Sequence, residues 1–363
     1  MKDEEGQQGN PSATDSPVKG ISSRSEFDFI NRLRQRVGSS GVSHPLSLIA
    51  GIGDDAAVIR PLAGKDTVVT TDLLVEDIDF RRAAAPADLL GHKALAVSLS
   101  DIAAMGARPR WALLSIGVPQ DVWNSDFVDR LYDGILELAQ RYDVKIIGGD
   151  ISRTPEKIVI NSIVVGECSP GFSVFRSGAK PGDQLFVTGT LGGAAAGLRL
   201  IDRGAHWPEQ ISTAESHSLE RLLVRHLRPE PRVGWGLVLG QERLASALID
   251  VSDGLSSDLA HLCKESCVGA LVESSQIPID SFVAELCGRR ALDPLMLALH
   301  GGEDFELLFT VSPENVARLP RRVDGVSVTH IGEIKESSEG IKISEGARVW
   351  QLDPGGWEHF RKG

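Results

Sequence analysis

The sequence predicts a two-lobed protein of the α/β (α+β) class. Three observations carry that expectation. Strand-like and helix-like segments alternate in both halves of the chain. A turn-rich stretch, Ser177-Gly178-Ala179-Lys180-Pro181-Gly182-Asp183, separates the halves. At 363 residues, the chain is too long for one typical hydrophobic core.

Residues 1–24 are polar and rich in Gly, Ser, Pro and charge, so they read as a disordered tail. From Glu26, the spacing of Phe27, Ile30 and Leu33 predicts a short helix leading to the turn Gly51-Ile52-Gly53-Asp54-Asp55. Apolar, β-branched runs predict strands at Ala57–Ile59, Thr67–Thr71, Trp111–Val118 and Ile158–Gly166. Helices are expected over Asp88–Met105 and Asp126–Tyr142; Phe127, Leu131, Ile135 and Leu138 form the stripe of the second. A first domain therefore spans 25–175 and a second 176–363. The second opens with strand Gln184–Thr188, the loop Gly189–Gly193 and a helix from Ala194. Further on, Leu248 and Ile249 read as a buried strand. Leu255, Leu259 and Leu262 then share one face of a helix whose N-cap is Ser252 or Asp253.

The net charge of −12 argues against nucleic acid or an anionic membrane as partner. It leaves phosphate ligands open, because divalent cations can invert a local potential. Cys168, Cys263, Cys267 and Cys287 show no zinc-site pairing; Cys263 and Cys267, one turn apart, read as buried thiols of a core helix. Free thiols without a signal peptide predict a cytoplasmic protein. No apolar run approaches the ~20 residues of a membrane span.

The chemistry concentrates in Ile249-Asp250-Val251-Ser252-Asp253-Gly254-Leu255, where two carboxylates sit three residues apart at a strand-to-helix turn. A helix start favours an anion, but two acids there repel a phosphate unless a cation lies between them. Other acids also end or interrupt apolar elements: Asp54-Asp55, Thr70-Thr71-Asp72, Ser100-Asp101 and Gly148-Gly149-Asp150. Any one of them can be an N-cap or a turn residue. The set suggests a shared metal site between the lobes, because lone charges in apolar elements are unfavourable. Simpler nucleotide motifs fail. Gly64-Lys65-Asp66 lacks the Ser or Thr and the upstream Gly of a P-loop, and Gly51–Asp55 leads into a strand rather than out of one. Gly189–Gly193 remains a candidate for amide contacts to phosphate, or a plain turn.

Taken together, Asp54-Asp55, Thr70-Thr71-Asp72, the stretch from Lys93 to Ala107, Gly148-Gly149-Asp150, Arg176–Asp183, Asp250–Leu255, Gly301-Gly302-Glu303-Asp304 and Gly356-Trp357-Glu358-His359-Phe360 resemble the thiamine-monophosphate kinase family. The resemblance runs from about Glu26 to Phe360, and single pieces are shared with aminoimidazole-ribonucleotide synthetases. It implies that superfamily's two-lobed fold, with the N-terminal sheets of two subunits forming a homodimer core. It also implies ATP-dependent conversion of thiamine monophosphate to thiamine diphosphate with several Mg²⁺ ions. By motif, Asp55, Thr70, Thr71, Asp72, Asp101, Asp150, Asp250 and Asp253 match metal positions, of which Asp72, Asp150 and Asp253 are the catalytic candidates. Gly149, Asp150, Arg176 and Ser252 match ATP contacts; Asp79, Glu303 and Trp357 match substrate positions. Two departures stand out: Asp79 replaces a frequent His, and Ser98 replaces a common Asn.

Such chemistry suits these residues. A phosphate monoester, with a second pKa of ~6, is already a nucleophile at neutral pH. The obstacle is repulsion, roughly 4 kcal/mol for each pair of like unit charges about 4 Å apart at an effective dielectric of ~20. Carboxylate-held Mg²⁺ can offset it. Glu303-Asp304, after two glycines, reads as a ligand contact or a tight turn, and Trp357 as a stacking partner or a tail anchor. His92, His226, His261 and His359 have no part in this scheme. The alternatives are an ATP-dependent synthetase acting on another phosphorylated metabolite, and a binding protein with structural metal sites.

Overall fold

The protein's structure, a computed structural model, describes residues 26–39, 48–50, 58–207, 214–290 and 292–358. The expected tail and the Asp54-Asp55 pair lie outside the described residues.

The first half runs α1 (Glu26–Ser39), β1 (Leu48–Ala50), β2 (Val58–Ile59), β3 (Asp66–Val75), α2 (Ala87–Ala104), β4 (Arg108–Val118), α3 (Gln120–Trp123), α4 (Phe127–Arg141), β5 (Lys145–Arg153) and β6 (Val159–Cys168). Strands β3, β4, β5 and β6 form a sheet of order β3-β6-β4-β5. Only β4 and β5 pair in parallel, which α3 and α4 permit by crossing between them. Expected strand Thr67–Thr71 is twice as long in the structure, because β3 pairs with β6 along its whole length, from Asp66↔Cys168 to Val75↔Val159.

Helix α2 is buried on nearly every face, its apolar residues being spread around the helix rather than gathered in one stripe. One side covers the sheet. Another meets α4 so closely that a Cβ on Gly91 would fall 1.9 Å from the Leu131 carbonyl oxygen, and one on Gly134 1.8 Å from that of Asp88. Glycine at both positions is what lets the two backbones touch. On α1, Phe29 makes edge contacts with Trp123 and Tyr132.

The second half runs β7 (Gln184–Thr188), α5 (Gly193–Ile201), α6 (Ala214–Leu227), α7 (Val233–Gln241), β8 (Ala245–Asp250), α8 (Leu255–Ser266), β9 (Gly269–Glu273), α9 (Ser281–Arg290), α10 (Pro294–His300), β10 (Leu307–Val311), β11 (Arg322–Val323), β12 (Val326–Lys335), β13 (Ile341–Glu345) and β14 (Arg348–Gln351). Its sheet has the order β14-β13-β9-β12-β7-β10-β8, with β11 on β12. Pairing is antiparallel except between β9 and β13. The class is thus mixed, with open sheets in both halves. One apolar core joins residues of α2 and β4 to Phe186, Trp235, Leu248 and Phe309 of the second half. The halves are welded there, with α2 at the join.

Candidate active site

Strand alternation decides which residues of β3 face α2. Thr70 and Asp72 point to the helix, while Val69, Thr71 and Leu73 point the other way. Thr70 donates its hydroxyl to Asp101 Oδ2 on α2. Ser98 donates to Asp72 Oδ2 at 2.6 Å and also meets Ser162 Oγ at 2.6 Å. Two residues along α2, Ser100 donates to Asp250 Oδ2 at 2.7 Å, across the join. Asp72, Asp101 and Asp250 thus come from β3, α2 and β8 to one place.

Their protonation records the crowding. Burial first, then the Asp101 charge, push Asp72 up to about 6 against the pull of the Ser98 bond. Burial, then Asp101, raise Asp250 to about 7; Asp72 adds to the rise. Asp101 is raised by burial, against a bond from Thr70 and the charge of Arg176. Arg176, an exposed residue, also acts on Asp250. The partners of these acids are hydroxyls and one arginine, too little positive charge for three carboxylates.

Asp258 extends the group. Its buried carboxylate reaches back from the first turn of α8 and accepts the amides of Asp253 (3.1 Å) and Gly254 (3.0 Å). Burial, then the charges of Asp250 and Asp253, raise it to about 8. This corrects the expected cap. Neither Ser252 nor Asp253 caps α8, since Gly254 is the N-cap and makes no side-chain bond. Ser252 accepts the Glu303 amide through its carbonyl at 2.7 Å, and Asp253 accepts the Trp357 amide at 3.0 Å. Gly355 and Gly356 donate their amides to Ser256 Oγ and Ser257 Oγ, so the C-terminal segment straps onto this loop. Trp357 itself stays 55% exposed.

Two expected metal residues stand apart from this cluster. The Thr71 hydroxyl is on the other sheet face, donating to Asn161 Oδ1 at 2.8 Å. Asp150 is exposed on β5 opposite Ser115, with Gly149 opposite Leu114. Ser115 in turn pairs with Asn161, so Asp150 belongs to the sheet row that alternates with that of Asp72. Among the described residues, no three His, Cys, Asp or Glu side chains form a ready cage for one ion. The donor chemistry nevertheless fits a hard divalent cation: oxygens only, crowded, and short of positive charge.

A second cluster surrounds Glu303. Gly301 and Gly302 thread it past Ser252, whose carbonyl oxygen would lie 2.5 Å from a Cβ on Gly302. Lys93 Nζ, on α2, meets Glu303 Oε1 at 2.7 Å, and His226 Nδ1, on α6, lies 3.0 Å from Oε2. That His226 approach is close but not aligned as a hydrogen bond. Burial alone would raise Glu303; the Lys93 and His226 contacts outweigh it and hold the acid near 2. Asp79 adjoins the cluster. Its carboxylate accepts the Val75 amide at 2.8 Å, and its carbonyl lies 3.4 Å from Lys93 Nζ.

In the loop Gly189–Gly193 the amides of Gly189, Leu191 and Gly192 are already taken. Gly192 and Ala194 donate to Asp304 at 2.6 and 3.0 Å, so a carboxylate already fills the place proposed for phosphate. Cys263 is buried as expected, but Cys267 ends α8 in a left-handed conformation and is exposed. Lys93, His226 and Asp258 were missed by sequence reasoning. Lys93 had a visible signal, a cation within a largely apolar helical stretch; the other two had none without the fold.

The family described as AIR synthase related protein matches twice, its N-terminal domain over residues 53–168 and its C-terminal domain over 180–343. Thiamine-monophosphate kinase of Bacillus subtilis is 37% identical over 341 residues, 93% of this chain and 99% of that protein. The Escherichia coli enzyme is 38% identical over 342 residues, 92% of this chain and 98% of its own. The chain belongs to the thiamine-monophosphate kinase family. Among solved structures, the thiamine-monophosphate kinase of Stenotrophomonas maltophilia superposes with a TM-score of 0.75 at 36% identity, covering 88% of this chain and 96% of that one. AaThiL complexed with AMPPCP and TMP gives 0.72 at 33%, covering 92% and 97%. Hydrogenase maturation protein HypE, at 19% identity and a TM-score of 0.64, shares the fold alone.

Proposed function

We propose that this thiamine-monophosphate kinase family member phosphorylates thiamine monophosphate to thiamine diphosphate, with ATP as donor and Mg²⁺ as cofactor. The observation that carries the reading is the convergence of Asp72, Asp101 and Asp250, drawn from both halves, with too few cations to neutralise them. A cluster of acids is an odd place to bring two polyanions unless metal ions come with them. Bound Mg²⁺ would supply the positive charge that lets donor and acceptor phosphates approach. Asp72, Asp101, Asp250 and Asp253 are its proposed ligands, with Thr70 beside them, Asp150 and Thr71 from the neighbouring sheet row, and Asp55 by family motif alone. Asp258 holds the Asp253–Gly254 amides, so the loop keeps its shape as ligands exchange.

Gly149, Asp150, Arg176 and Ser252 are assigned to ATP, Arg176 by its exposed cation near the acids. Glu303, Asp79 and Trp357 are assigned to the acceptor. Glu303 is ionised throughout the working pH range, which suits a positively charged thiazolium ring. Transfer is direct and in line, with no phosphorylated side chain, since the acceptor already carries its nucleophilic oxygen.

The same reading divides the chain near residue 175 and makes the protein a homodimer through the free face of the β3–β6 sheet. There Val69 and Leu73 are exposed beside the apolar cluster of Trp111, Ile147 and Val165. It further takes the partners to be small molecules and the compartment to be the cytoplasm, where the four unpaired thiols are at home. Among the described residues, no helix is long and apolar enough to cross a membrane.

Protein, ATP, Mg²⁺ and thiamine monophosphate, incubated together, should yield thiamine diphosphate and ADP in equal amounts. ADP formed only with another phosphorylated acceptor would favour a synthetase-like activity instead.

A further inference from the structure

Glu303 sits in a backbone conformation that needs outside support. Its φ is 68°, and that of Phe305 is 49°, both in the left-handed region that non-glycine residues avoid. The side chain is held from both halves of the molecule. Lys93 of α2, only 2% exposed, meets one carboxylate oxygen at 2.7 Å. His226 of α6, also buried, brings Nδ1 within 3.0 Å of the other and gives that nitrogen no aligned partner. Glu303 keeps 27% of its side chain exposed, so one edge remains open to a ligand.

We propose that Lys93 and His226 are positioning residues that aim the Glu303 carboxylate at the cationic ring of the acceptor substrate. This rests on the kinase reading above. The charge balance gives the geometry its purpose. Burial, then Lys93, depress His226, so the imidazole stays neutral and the trio Lys93–Glu303–His226 carries no net charge. A protonated His226 would make the trio cationic and repel a cationic ring. Groups facing the trio are Asp202 behind His226, the Asp79 carbonyl on Lys93, and Asp304 next in the chain, itself faced by Arg225. None of them replaces Lys93 as the cation on Glu303.

Steady-state kinetics of the full-length enzyme tests this, with KM measured separately for thiamine monophosphate and for Mg·ATP. In Lys93→Met, acceptor KM should rise at least tenfold, kcat should stay within threefold, and KM for Mg·ATP should not move. The acid limb of kcat/KM for the acceptor should shift upward by a pH unit or more, and Lys93→Arg should recover part of both effects. His226→Asn should raise acceptor KM less, again without affecting Mg·ATP. If Lys93→Met does not fold, Lys93→Met/Glu303→Gln removes the unpaired charge; its acceptor KM should match that of Glu303→Gln alone, and a further multiplied KM would overturn the proposal. A folded Lys93→Met with wild-type acceptor KM and pH limb, beside an impaired Glu303→Gln, also overturns the positioning role. An unimpaired Glu303→Gln overturns it together with the substrate assignment, whereas absent turnover of thiamine monophosphate by the wild type removes the kinase reading itself.

Discussion

Two charge clusters, one spanning the join between the halves and one within the second half, are built on opposite rules. Around Glu306 every acid has a cation: Arg232 grips both carboxylate oxygens, Arg225 stands 3.5 Å away, and Thr188 donates at 2.7 Å. Around Asp250 the partners are Ser98, Ser100, Thr70 and a single exposed arginine, while Asp72, Asp101 and Asp258 add like charge. The first cluster is complete as folded. The second is incomplete without a ligand that brings positive charge. Burial of acids therefore does not mark a site; burial without neutralisation does.

Several outcomes sharpen or break that contrast. The largest belongs to the incomplete cluster. Asp253→Asn should lower kcat by about 100-fold or more while the circular dichroism spectrum stays native; full activity at saturating Mg²⁺ would remove Asp253 from the site. In the complete cluster, Glu306→Gln leaves the half-buried Arg232 without its close anion and Arg225 with Asp304 alone. Denaturant titration should show a loss of about 3–5 kcal/mol, and an unchanged midpoint would deny the difference between the clusters. In Mg²⁺-free buffer at pH 8, Asp250→Asn should leave stability within about 1 kcal/mol of wild type, or raise it, because it removes a like charge. A loss as large as that of Glu306→Gln would mean that the acid cluster is structural.

A further effect concerns pH. Glu303 has a folded pKa near 2 against an ordinary 4.5, so its contribution is fully present above about 4.5. It is lost as pH falls from there towards 2. Wild type should therefore lose more stability over that interval than Glu303→Gln, as read by thermal melts at fixed ionic strength.

Much of this was legible in the sequence. Strand β7 and helices α2 and α4 lie within a residue or two of their expected bounds, because apolar periodicity and flanking turns specify them locally. The pairing of β3 with β6 extended a short expected strand to ten residues; that extension depends on a partner almost a hundred residues away. The acids were visible as charges in apolar surroundings. What they touch was not. Asp258 takes its role from the fold, which brings the Asp253 and Gly254 amides onto its carboxylate. The glycine loop at 189–193 looked open until Asp304, more than a hundred residues later, filled it. Contacts between the halves are set by tertiary packing, and local sequence patterns carry no record of them.

The central claim is that carboxylates from both halves form a binding place for divalent cations beside the nucleotide. It is tested most directly by titrating Mn²⁺, followed by electron paramagnetic resonance, into the protein saturated with a non-hydrolysable ATP analogue. Wild type should bind more than one Mn²⁺ per chain, and Asp250→Asn at least one fewer. Equal stoichiometry and affinity in the two proteins would contradict the claim.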